Sequence, residues 1–98
     1  MTVADLEDAV RSGTPLPADA PPLVRALWLD ATGDWDGAHG VAQEVQSADG
    51  AWVHAYLHRK EGDSGNAGYW YRRAGKPAAS GPLDAEWRAI AEALVQGN

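Results

Sequence analysis

The sequence predicts an all-α domain built from antiparallel helical hairpins, with about five or six helices. Three observations carry that reading. Apolar residues recur three and four apart along six segments, glycine or proline marks each junction between them, and a Gly-Asp pair returns after twenty-nine residues at two of those junctions. No stretch alternates as a half-buried strand would. Ninety-eight residues suit one domain, read as an N-terminal capping helix and linker (1–19), two hairpins (20–77) and a C-terminal capping helix (78–98).

The first helix is expected behind Thr2, with Asp5 three residues on as in a capping arrangement, Leu6, Ala9 and Val10 on one face and Gly13 as its stop. Four prolines lie in the connector 13–22, and Pro21 and Pro22 can open a second helix behind Asp19, because a first turn tolerates the missing N–H. Leu23, Val24, Leu27 and Trp28 give that helix its face and Gly33 ends it. Asp34 is placed to cap a third helix running to about Gln46, with Trp35, Ala38, Val41, Ala42 and Val45 on its apolar side. After a turn at 47–50, a fourth helix is expected over 51–61 with Trp52, Ala55 and Tyr56 on one face. Gly62 closes it. Asp63 or Ser64 then caps a fifth helix whose stripe is Ala67, Trp70, Tyr71 and Ala74, which marks Trp70 as a core anchor. Gly75 and Pro77 stop it, and Leu83, Trp87, Ile90, Ala91 and Leu94 form the face of the last helix from about Pro82.

Gly33-Asp34 falls on Gly62-Asp63 and Ala38 on Ala67 when the chain is shifted against itself, so one hairpin is repeated. A helix, a Gly-Asp turn and a second helix with an early alanine resemble the tetratricopeptide repeat, where small residues let the two helices approach closely. Ala67-Gly68-Tyr69-Trp70-Tyr71-Arg72-Arg73-Ala74-Gly75, with Ala55 in the preceding helix, is also similar to Sel1 repeats. The stretch from Gly50 to Gly75 resembles one found in small bacterial proteins. These resemblances cover about residues 20–77 and imply hairpins stacked as in tetratricopeptide-like repeats, capped by the terminal helices, with a role in binding protein or peptide.

Composition narrows the function. With no cysteine, disulfides, thiolate nucleophiles and Cys-based zinc sites are excluded, which suits a reducing cytoplasm. The first residues carry Asp5, Glu7 and Asp8 in place of a basic, apolar leader, and eighteen apolar residues never run together, so neither export by a signal peptide nor a membrane span is expected. A net charge of −6 disfavours nucleic acid and anionic lipid, yet residues 59–76 are +3 and the remainder −9. Within that basic island Arg59, Lys60, Tyr69, Arg72 and Arg73 are the candidates for contact with a partner, an acidic protein or peptide or a second copy of the chain. Catalysis is not expected: no serine sits in a Gly-x-Ser-x-Gly elbow, and the glycines from 62 to 68 follow no strand.

His54 and His58 are four apart, the spacing that sets two imidazoles one above the other on a helix, as zinc or a similar divalent ion requires. Glu61 continues their stripe, and His39 on the preceding helix is another candidate ligand. At about 100° per residue the stripe lies roughly 180° to 240° from Trp52, which makes it a solvent face. The repeat register disagrees, since it sets His54 and His58 where such repeats pack large apolar side chains against a neighbour. The two readings are an exposed stripe and a semi-buried pair in need of partners. Since Ala55 follows His54, the metalloprotease helix motif is absent and no catalytic base is implied.

Overall fold

The computed structural model of the chain describes residues 1–96 and, among them, six helices and no strand: α1 (Val3–Ser12), α2 (Pro22–Ala31), α3 (Trp35–Glu44), α4 (Ala48–Lys60), α5 (Ser64–Ala74) and α6 (Leu83–Gln96). The last two residues of the expected capping segment 78–98 lie outside the described residues. No described helix is long and apolar enough to cross a membrane.

Local chemistry sets most boundaries. Thr2 and Asp5 form a reciprocal capping box, in which the Asp5 N–H donates to Thr2 Oγ1 at 3.1 Å and the Thr2 N–H to Asp5 Oδ2 at 3.0 Å. The two Gly-Asp turns are the same object. Gly33 and Gly62 take positive φ, 100° and 90°, where a side chain would be strained. The Asp34 and Asp63 N–H groups reach back to the carbonyls of Leu29 and His58 at 2.8 and 2.9 Å, and their carboxylates cap the N–H groups of Gly37 and Asn66.

Three boundaries differ from the sequence reading. Asp19 does not cap α2, which starts behind Pro21 with no side-chain cap; Pro22 in the first turn removes one of the N–H groups that a cap would serve. The third helix stops at Glu44, two residues early, and α4 begins at Ala48, so the expected turn 47–50 is mostly helix. Ser47 is the reason, for its hydroxyl accepts the Gly50 N–H at 3.0 Å and starts the helix there.

The hairpins α2–α3 and α4–α5 stack in a repeat-like arrangement, α4 lying against both helices of the first hairpin. Next, α6 packs across α2 and α4, and α1 sits between α2 and α6. Ala38 and Ala67, which correspond in the repeat, are both buried and permit the close approach within each hairpin. Aliphatic side chains fill the centre: Leu6, Leu27, Val53, Leu57 and Ile90 are fully buried. Tryptophans stand around them, partly buried, with Trp35, Trp52 and Trp87 donating their indole N–H to the Leu57 carbonyl, the Glu86 carboxylate and the Leu27 carbonyl. Trp70 is likewise partly buried and leans on a histidine, so it is a wall of a site more than an anchor of the core.

Candidate metal centre

Every neighbour in the stack converges on α4, which contacts α2, α3, α5 and α6, and Val53 through His58 are all buried. A helix buried on all sides has no solvent face for its histidines to occupy. His54 and His58 are 5% and 7% exposed, which overturns the exposed-stripe reading and agrees with the repeat register. The angular argument failed because it assumed one wet side, whereas the side opposite Trp52 is covered by α3 and α5.

From α3, His39 completes the set. Its ring centroid lies 4.5 Å from that of His54 and 5.1 Å from that of His58, and the latter two are 4.9 Å apart. One nitrogen from each of the three rings lies within 4.8 Å of the others. Two indoles wall the cluster: Trp35 stacks on His39 at 5.0 Å and meets His58 edge-on at 5.8 Å, while Trp70 stacks on His54 at 3.9 Å with 14° between the planes. Trp35 cannot drift, because its indole N–H is bound to the Leu57 carbonyl at 2.9 Å.

Hydrogen bonding separates a structural histidine from a ligand. Among the described residues no protein group bonds a ring nitrogen of His39 or His54, and His58 uses only Nδ1, at 2.6 Å from Glu61 Oε1. Glu61 therefore braces a ring whose Nε2 stays free, the part that a carboxylate plays behind a metal-bound imidazole. It groups with His58 and Asp63, not with His39 and His54, so the third member of the cluster is His39. Burial, reinforced by the like charges of His39 and His58, pulls the His54 imidazole down to about 4. Burial and the charge of His58 lower His39 as well. Both rings thus keep a lone pair at neutral pH, as a ligand must.

The expected partner-binding residues divide in two. Arg59 is bound to Glu86 at 2.9 Å and to the Gly81 carbonyl, and Lys60 to Asp30 at 2.9 Å. Both basic side chains thereby fasten α4 to carboxylates, Glu86 and Asp30, that are 7% and 3% exposed. Tyr69, Arg72 and Arg73 stay on the open side of α5, and the Arg73 guanidinium lies 5.7 Å over the Tyr69 ring and 5.4 Å over that of Trp70. The sequence reading did not bring Trp35 or Trp70 to the histidines, although the repeat contained the signal, since their helices are the second members of the two hairpins that α4 joins. No protein-family model, curated protein or solved structure matches the chain.

Proposed function

We propose that this protein binds a divalent transition-metal ion of the zinc type through His39, His54 and His58. The observation that carries the proposal is the convergence of three imidazoles, of which His39 and His54 have no hydrogen-bond partner among the described residues and His58 uses only Nδ1, on Glu61. Imidazole suits zinc, copper and nickel, and three such ligands are enough to hold an ion whose fourth position is left to another group. The scaffold is read as a pair of tetratricopeptide- or Sel1-like hairpins that bring α3 and α4 together, in a protein of the reducing cytoplasm, with binding and not catalysis as its role.

Added zinc should raise the melting temperature by mass action. At a hundredfold excess over Kd the gain is about 2.7 kcal/mol, roughly 10 °C or more for a domain of this size. His58→Ala and His39→Ala should each abolish the rise. If zinc leaves the melting temperature of the native protein unchanged while His58→Ala lowers it, the histidines serve packing alone.

A second reading rests on Tyr69, a large apolar side chain 45% exposed beside Arg72 and Arg73 on the outward side of α5. This face would take an acidic peptide from a protein partner. Titration with a glutamate-rich peptide should give binding that Tyr69→Ser with Arg72→Glu removes; equal binding by that variant would refute it.

A further inference from the structure

His54 belongs to two features at once. Its ring is part of the histidine cluster, and it also lines a cavity of about 460 Å³ beside that cluster, together with Gln43, Gln46, Ser47, Trp70 and Arg73. No carboxylate lines this cavity, although the chain as a whole carries a net charge of −6. Every polar group in the wall can donate a hydrogen bond, and one is a guanidinium. That guanidinium is held in place, with Nη1 donating to the Tyr69 hydroxyl at 3.1 Å and the group lying over the Trp70 indole. The N-terminal turn of α4, through Gly50 and Ala51, faces the same space and adds the positive end of its dipole. Ala42, Val45 and the indole of Trp70 supply an apolar side.

Imidazole ligands bring no negative charge, so a divalent ion held by the three rings would keep a net positive charge that Glu61 behind His58 offsets only in part, and one position on it free of the protein. Resting on the metal reading above, we propose that the fourth position is taken by the carboxylate of a small organic molecule lodged in this cavity, one oxygen toward the ion beside His54 and the other toward Arg73. A planar fork opposite a single positive centre matches a carboxylate, which presents two oxygens in one plane. The apolar wall has room for the carbon body that inorganic anions lack. A phosphate dianion would instead bring its remaining charged oxygens against Ala42, Val45 and the Trp70 indole.

The test uses the whole chain loaded with Co2+, whose visible absorption reports the donors around it. Adding benzoate should shift the bands saturably. Arg73→Gln should bind Co2+ as the native protein does but need about tenfold more benzoate, the loss of one charged hydrogen bond. Bands that form on loading yet ignore benzoate overturn the carboxylate proposal and leave the metal reading intact. Inorganic phosphate shifting the bands at lower concentration than benzoate overturns the assignment of ligand class, and an Arg73→Gln protein with unchanged benzoate affinity overturns the place given to Arg73. No Co2+ bands at all would end both readings.

Discussion

Glu86 lies on the stripe of α6 that also carries Leu83, Trp87 and Ile90, and a carboxylate at such a position must find donors. It finds three: the Trp52 indole at 3.2 Å, Arg59 at 2.9 Å and the Tyr71 hydroxyl, which reaches both of its oxygens. Asp30 repeats the pattern on α2 with Lys60, while its Oδ2 has no hydrogen-bond partner among the described residues. The sequence reading singled out neither acid, although each stands among the apolar residues of its helix. Their partners could not be read at all, because nothing local to residues 30 and 86 announces that residues 60 and 59 will arrive beside them. Two tyrosines share this environment. Burial, then the hydrogen bond and charge of Glu86, raise Tyr71 well above the ordinary phenol, and burial, then the charge of Asp30, raise Tyr56. Arg59 opposes the shift at both, and Glu86 adds to it at Tyr56. A folded-state pKa above the unfolded value of about 10 means that stability is intact below pH 10 and is lost as the unfolded chain, but not the native one, gives up these protons. The urea midpoint should fall steeply above pH 10, by up to about 1.4 kcal/mol per unit for each tyrosine, and the slope should flatten in Tyr71→Phe.

A glycine sets the distance between α3 and α4. A Cβ built at Gly50 would fall 1.9 Å from the Val45 carbonyl oxygen, a backbone atom that cannot rotate away. Gly50→Ala should therefore push the start of α4 off the end of α3, at a cost of about 1–3 kcal/mol in the denaturation midpoint. The same displacement moves His54 from His39, so the variant should also lose most of its response to zinc. An alanine protein with native stability and native zinc response would mean that the close approach is unimportant. At this scale the sequence was informative where a signal repeats and weak where it depends on what lies opposite. The Gly-Asp turns, the capping box and the second hairpin could be read directly, since each is made of neighbours in the chain. The surroundings of α4 could not, because its residues alone do not show that helices cover it on every side. His39 was named as a candidate ligand because it lies on the helix that precedes α4.

In the whole molecule, neighbours in sequence are mostly neighbours in space: α2 packs on α3, α3 on α4 and α4 on α5. Apart from α2 against α4, the exceptions come from the ends. The α6 helix reaches back to α2, where the Trp87 indole donates to the Leu27 carbonyl, and to α1, where Arg88 meets Glu7 at 2.7 Å. Bridging eighty-one positions through an exposed pair returns little energy for the chain entropy it uses. The amides of α4 should accordingly show the slowest hydrogen exchange and those of α1 the fastest, with α6 between them; equal protection throughout would indicate a single cooperative unit. The meeting of α1 with α6 then has a kinetic consequence. The four middle helices can zip together through short-range contacts on a fast timescale, and joining the two outer ones is the long loop closure that comes last. The histidines lie wholly within the part that assembles first, so an ion could be captured by a chain whose ends are still free, and its presence would speed the early phase of refolding more than the late one.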